Sequence, residues 1–153
     1  MLTAGTKAPQ FTLDDMAGGK RGLSEILAQG PALVVLYKIS CPVCQLAMPY
    51  IERISKGSLQ VVAISQDDAR ATSRFQQNLG LTLPTLLDRE SDGYPASNGF
   101  GITHVPSLFL VEPDGAISLS TAGFSKRELE ALGHRAGVKT FRPEENVPEW
   151  KAG

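Results

Sequence analysis

The sequence predicts an α/β domain in which a mixed β-sheet carries helices on both faces. Residues Ala32–Tyr37 are apolar throughout, as expected for a central strand that is covered on both sides. Strand and helix patterns alternate from this run to Gly80, which is typical of parallel strands joined by helices. Two further strand patterns flank a tight turn at Glu112–Gly115, and these indicate an additional antiparallel pair.

Composition limits the classes of function. A chain of 153 residues corresponds to about one domain, and 42% hydrophobic residues suffice for a core without disulfide bonds. The net charge is −1 and no long charged run is present, which argues against nucleic acid or an anionic membrane as the partner. The longest apolar run, Ala32–Tyr37, is far shorter than the roughly 20 residues that cross a bilayer.

The N-terminal part predicts a hairpin and a short helix. Residues Pro9–Asp15 alternate between apolar and polar, and the glycines of Met16–Lys20 indicate a tight turn after them. Ser24 is expected to cap a short helix over Glu25–Ala28, which Gly30-Pro31 ends. We therefore expect a β-hairpin extension ahead of the central strand.

The remaining elements follow from apolar spacing and from cap residues. In chain order they are a helix over Pro42–Ser55, a strand over Leu59–Ile64, a helix from Asp67-Asp68 to Leu79, an extended piece over Leu83–Leu87, a short helix near Pro95–Phe100, strands over Ser107–Val111 and Ala116–Ser120, and a helix over Lys126–Ala136 that Ser125 caps. We place the domain at residues 1–136. Residues 137–153, which include the single tryptophan Trp150, are expected to form a polar tail.

The only two cysteines, Cys41 and Cys44, are three residues apart at the start of the predicted Pro42–Ser55 helix. This spacing places both on nearly one helix face, at a Cα separation that a disulfide accepts. Unpaired N–H groups and the positive end of the helix dipole at Cys41 favour a thiolate there. We therefore predict that Cys41 is the nucleophile and Cys44 the resolving thiol of a redox-active pair.

Three other roles for the pair remain open. A structural disulfide would close a ring of only four residues and stabilise the fold by about 2 kcal/mol. A zinc site would need two further ligands, and His104 and His134 lie far away at no recognised metal spacing, so we expect no metal. The cysteines could also be buried and inert, but their close spacing in a chain without other cysteines favours redox chemistry.

The order of a strand, Cys41-Pro42-Val43-Cys44, a helix, and later Val105-Pro106-Ser107 before a strand resembles the thioredoxin fold. The segments Gly5–Asp15 and Gly101–Gly115 resemble the redoxin branch of that fold, the AhpC/TSA and TlpA/ResA-like proteins. The resemblance runs from about Gly5 to Ala136. It implies a thioredoxin-like three-layer sandwich. We expect no cofactor.

The resemblance also implies a cis peptide bond between Val105 and Pro106, which faces the cysteines. The backbone of Val105 would then be available to pair with an extended substrate segment, whereas a trans proline would simply begin an edge strand. Pro49 matches a proline that kinks the cysteine helix in this fold and frees the carbonyl of Gln45.

Several positions depart from the family pattern. Ser40 and Val35 stand where thioredoxins carry a Trp and a buried acid, and Ala47 stands where ResA-like proteins carry an acid. Proton transfer would therefore pass to water, to His104 or to another group. His104 is otherwise an ordinary loop residue.

Three residues next to the cysteines are candidates for tuning the pair. Pro42 and Val43 lie between the cysteines and are expected to set the stability of the thiolate, and with it the reduction potential. Lys38 could add positive potential near Cys41, or it could be a solvated lysine at the end of the strand.

These residues predict a thiol–disulfide oxidoreductase that reacts with protein or small-molecule disulfides and thiols through a mixed disulfide. One alternative is a peroxiredoxin-like thiol peroxidase with antioxidant activity. If Cys44 holds the peroxide-reducing position of that family, however, Tyr37 and Cys41 replace its Pro and Thr, and Val105–Ser107 contains no Arg. Another is a redox-gated binding module. We expect a monomer or weak dimer, cytoplasmic because Met1–Lys7 does not resemble a secretory signal, or periplasmic if a signal had been removed.

Overall fold

A seven-stranded mixed β-sheet forms the centre of the computed structural model, which describes residues 1–153. The strands are β1 (Thr12–Asp15), β2 (Lys20–Gly22), β3 (Ala32–Tyr37), β4 (Gln60–Ser65), β5 (Thr85–Leu87), β6 (Ser107–Val111), β7 (Ile117–Ala122), β8 (Phe124–Ser125) and β9 (Trp150–Lys151). The helices are α1 (Leu23–Leu27), α2 (Pro42–Ser55), α3 (Ala69–Leu79), α4 (Pro95–Phe100) and α5 (Lys126–Ala136), with a 3-10 turn at Glu90–Asp92. The sheet order is β2-β1-β5-β4-β3-β6-β7, and β8 pairs with β9 in a separate ribbon.

The strand directions decide which loops meet. β3 is parallel to β4 and antiparallel to β6. In this register Leu36, near the end of β3, lies opposite Ser107, the first residue of β6. The loop that leaves β3 toward α2 and the loop that enters β6 therefore lie at the same edge of the sheet.

The core is divided by the sheet into two buried clusters. Alternate side chains of β3 enter each cluster, as the two-residue period of a strand requires: Leu33, Val35 and Tyr37 face one side, and Ala32, Val34 and Leu36 face the other. Helices α2, α3 and α5 cover the first side, and α1 and α4 cover the second. The strand that the sequence predicted to be covered on both faces is thus fully buried in the middle of three layers.

Most element boundaries agree with the sequence-based expectations, but the start of α1 does not. Ser24 was expected to be the cap, yet α1 begins at Leu23 and its N-cap is Gly22, so that prediction was wrong. The chain passes directly from β2 into the helix, and the N–H of Gly22 donates to Oε1 of Glu25 at 3.2 Å.

No helix is both long enough and apolar enough to span a membrane.

The segment after α5 folds back onto the domain. Phe141 is buried, and the Oγ1 of Thr140 donates to the carbonyl of Leu129 at 3.0 Å. The guanidinium of Arg53 in α2 donates to both carboxylate oxygens of Glu145 at 2.6 Å and lowers the pKa of that carboxyl to about 2. The domain division after residue 136 stays a prediction, but the segment beyond it is anchored to α2 and α5.

Candidate redox site

The cysteine pair lies where the chain passes from β3 into α2. Cys41 is the N-cap of α2, and Pro42 occupies the first turn. Because the first N–H groups of a helix have no acceptor within it, a proline at this position costs no helical hydrogen bond. The backbone N–H of Cys44 donates to the Sγ of Cys41 at 3.3 Å. The first turn of the helix therefore aims a donor at one sulfur and carries the second sulfur one turn further on.

The two thiols have different surroundings. Cys41 is partly exposed and Cys44 is fully buried, and neither forms a disulfide in this structure. Burial raises the pKa of the Cys44 thiol well above its ordinary value, and a hydrogen bond to the backbone of Lys38 offsets only part of this rise. The neighbouring Cys41 sulfur raises the same pKa further, and the charge of Asp67 adds a smaller contribution in the same direction. Only Cys41 can be reached from solvent, so the pair has one accessible and one protected member.

The loop that enters β6 meets the pair. The Val105–Pro106 peptide bond is cis, as the family resemblance implied. The Sγ of Cys41 donates to the carbonyl of Val105 at 3.4 Å, and the carbonyl of Pro106 accepts from the N–H of Gly123 at 2.8 Å. The structure thus brings Cys41, Cys44, Val105 and Pro106 together.

The side chains of Lys38 and His104 make no hydrogen bond to either sulfur. Lys38 has an exposed side chain, and its carbonyl accepts from the N–H of Cys41 at 3.3 Å. The exposed His104 pairs its Nδ1 with the Oγ1 of Thr103 at 2.9 Å, and its carbonyl accepts from the hydroxyl of Ser107 at 2.7 Å. His104 therefore fixes the loop before β6, and neither cysteine is among its hydrogen-bond partners.

Asp67 is a site residue that sequence reasoning missed. The sequence assigned both Asp67 and Asp68 to the start of a helix, but only Asp68 caps α3, through Oδ1 and the N–H of Ala71 at 2.8 Å. Asp67 turns the other way, and its Oδ2 accepts from the N–H of Ile39 at 2.8 Å. The available signal was that one helix has a single N-cap, which leaves the other of two adjacent aspartates free for a different contact.

Tyr37 lies in the same buried cluster as Cys44. It is fully buried, and its hydroxyl makes no hydrogen bond. The neighbouring Ser65 hydroxyl pairs with Thr72 at 2.7 Å instead. Burial raises the pKa of Tyr37 well above its ordinary value, so the phenol stays neutral beside the buried thiol.

Comparisons with known proteins identify a matching family model and related enzymes. The model of the AhpC/TSA family matches residues 4–120. The thiol-disulfide oxidoreductase ResA of Geobacillus thermodenitrificans is 24% identical over 132 residues, which cover 83% of this chain and 74% of ResA. Since ResA-type enzymes are among its homologues, the predicted reaction class, thiol–disulfide oxidoreductase, is confirmed.

Solved structures show the same fold. The thioredoxin domain of a thiol-disulfide oxidoreductase from Bacteroides vulgatus has a TM-score of 0.76 at 18% identity, covering 88% of this chain and 98% of that one. Peroxidoxin BcpB from Mycobacterium tuberculosis has a TM-score of 0.72 at 22% identity, covering 89% and 94%. At such identities the likeness concerns the fold alone, and it confirms the predicted thioredoxin-like architecture.

Proposed function

The chain belongs to the AhpC/TSA family, and we propose that it catalyses thiol–disulfide exchange. In this reaction the Cys41–Cys44 pair reacts with disulfides and thiols of protein or small-molecule partners. The observation that carries this proposal is the pairing of a partly exposed Cys41 Sγ with a fully buried Cys44 one helical turn away. The relatives named ResA support the same reaction class.

In the reducing direction the Cys41 thiolate attacks one sulfur of a substrate disulfide. The substrate S–S bond breaks, one substrate thiolate leaves, and a mixed disulfide joins Cys41 to the other half. The Cys44 sulfur then attacks Cys41 and expels the second substrate thiolate. The protein ends as an internal disulfide, the substrate has gained two electrons and two protons, and the reverse sequence oxidises a dithiol substrate.

The Cys41 sulfur is prepared for the first step by its position. Negative charge that develops on this atom is stabilised by the N–H of Cys44, which already donates to it at 3.3 Å, and by the positive end of the α2 dipole. The hydrogen bond from Cys41 to the carbonyl of Val105 must open, because a thiolate has no proton to donate.

The second step is limited by the proton on Cys44. Burial raises the pKa of this thiol, so at neutral pH it must lose its proton while it attacks. Val35 and Ala47 supply no carboxylate where related proteins carry one, and His104 pairs with Thr103. We assign the proton to water and to the departing substrate thiolate, which is itself a base.

The test is the reduction of insulin disulfides by dithiothreitol in the presence of the protein. Cys41→Ser is expected to abolish the acceleration. Reduced Cys44→Ser, mixed with insulin in the absence of dithiothreitol, is expected to accumulate a mixed disulfide that mass spectrometry detects. Ser40→Ala, a change at an exposed neighbour, is the matched control and should keep the wild-type rate. An acceleration that survives Cys41→Ser would refute the proposal, whereas rapid hydrogen peroxide consumption without disulfide exchange would favour the peroxidase alternative.

A further inference from the structure

The last five residues, Glu149–Gly153, form an extended segment that we call the capping segment. Its strand β9 pairs antiparallel with β8, with Trp150 opposite Ser125 and Lys151 opposite Phe124. The N–H of Lys126 donates to the carbonyl of Glu149 at 2.9 Å, which holds the start of the segment. From there the chain runs toward the loop that carries the cis bond.

The capping segment ends against the backbone of Val105. Gly153 lies so close to Val105 that a Cβ on this glycine would be 2.1 Å from the carbonyl oxygen and 3.4 Å from the amide nitrogen. The same carbonyl accepts the hydrogen bond from the Sγ of Cys41 at 3.4 Å. The segment therefore covers the polar backbone groups beside the nucleophile.

Gly123 makes this close approach possible. It links β7 to β8 with a φ of 77°, and a Cβ on it would lie 2.3 Å from the carbonyl oxygen of Lys151 and 3.1 Å from the nitrogen of Gly153. Its own N–H donates to the carbonyl of Pro106 at 2.8 Å. One residue without a side chain thus lets the capping segment and the cis-proline loop lie against each other.

The segment is held by contacts that are easily broken. Trp150 is 61% exposed and Lys151, Ala152 and Gly153 are exposed as well. A two-stranded ribbon is marginal by itself, and the only ion pair of the segment, Lys126 with Glu149 at 3.8 Å, lies at the surface and adds little. The segment can therefore leave its place while the domain stays folded.

We propose that the capping segment determines substrate selectivity by occupying the backbone edge at Val105 on which an extended polypeptide would dock. A polypeptide disulfide must displace the segment before its backbone can pair with Val105. A small disulfide needs only the exposed part of Cys41 and reacts with the segment in place. This proposal rests on the proposed function.

The kinetic test compares insulin with bis(2-hydroxyethyl) disulfide as substrates. In a chain that ends at Pro148, kcat/KM for insulin is expected to rise roughly tenfold, mainly through KM, if the uncovered state makes up about a tenth of the full chain. The rate with the small disulfide should change less than twofold, which also shows that the shortened chain is folded. In the full chain, Gly153→Ala should also raise the insulin rate, because the added methyl group has no room beside Val105 and displaces the segment. Ala152→Ser should leave the insulin rate unchanged.

Trp150, the only tryptophan, reports the position of the segment directly. The Cys44→Ser variant is joined through Cys41 either to a ten-residue peptide containing one cysteine or to 2-mercaptoethanol, and acrylamide quenching of Trp150 is measured. Quenching should increase with the peptide only. Equal quenching in both adducts, or an unchanged insulin rate in the shortened chain, would overturn the inference, whereas failure of Cys41 to form either adduct would instead refute the proposed function.

Discussion

The buried thiol of Cys44 should make the stability of the reduced protein depend on alkaline pH. The thiol titrates near 8.5 in an unfolded chain, whereas burial raises its pKa well above that value in the folded protein. Above pH 8.5 the unfolded state therefore binds fewer protons than the folded state, and the free energy of unfolding falls as the pH rises. Between pH 7 and pH 10 the loss from this single group amounts to about 2 kcal/mol, at about 1.4 kcal/mol per pH unit above 8.5.

The measurement is urea unfolding of the reduced protein at pH 7 and pH 10, with Cys44→Ala as the matched control. Other groups that titrate in this range, including Tyr37, are present in both proteins and cancel in the difference between the two pH-dependent losses. The wild type should lose about 2 kcal/mol more than the variant. The oxidised protein should behave like the variant because its Cys44 carries no proton. Equal losses in wild type and variant would refute the assignment of a buried, protonated Cys44.

Two further predictions concern charges near the site and the C-terminal segment. Asp67→Asn removes a charge that raises the pKa of Cys44 but keeps an acceptor for the N–H of Ile39. The pH profile for the rate at which glutathione leaves its mixed disulfide with the protein should then shift to lower pH, while the free energy of unfolding stays nearly unchanged. An unshifted profile would mean that Asp67 only positions the loop. Glu145→Gln should destabilise the protein at pH 7. Since the pKa of Glu145 is lowered to about 2, the contribution of its carboxylate is present above about 4.5 and is lost as the pH falls toward 2. The difference between wild type and variant in urea midpoint should therefore be smaller at pH 3 than at pH 7, and a constant difference would count against an ionic role for Glu145.

Strong local signals made the sheet and the cysteine helix predictable. Every residue of β3 is apolar, so its burial on both faces follows from the sequence alone. The bounds of α2 follow from its apolar spacing and from the proline at its first turn. The cis bond before Pro106 came from the family resemblance, because no local pattern distinguishes it from a trans proline at the start of a strand.

The contacts that the sequence did not reveal join distant parts of the chain. Asp67 binds the N–H of Ile39, which is 28 residues away, and Arg53 binds Glu145 across 92 residues. Neither contact repeats with a helical or strand period, so periodicity carries no trace of it. The prediction for the start of α1 failed for a different reason: Gly22 and Ser24 are both residue types that cap helices, and only the entry of the chain from β2 decides between them.

Because the side chains of β3 alternate between its two faces, the sheet separates the buried core into two clusters. Leu33 and Val35 belong to the same cluster as Cys44, whereas Ala32 and Val34 belong to the cluster beneath α1 and α4. Because the interior is closely packed, we expect a change of volume at Leu33 or Val35 to disturb the packing on the Cys44 side of the sheet, and the same change at Ala32 or Val34 to disturb the opposite side. Core substitutions meant to change the reduction potential of the cysteine pair therefore belong in the cluster that contains Cys44, and the cluster beneath α1 and α4 can be left unchanged.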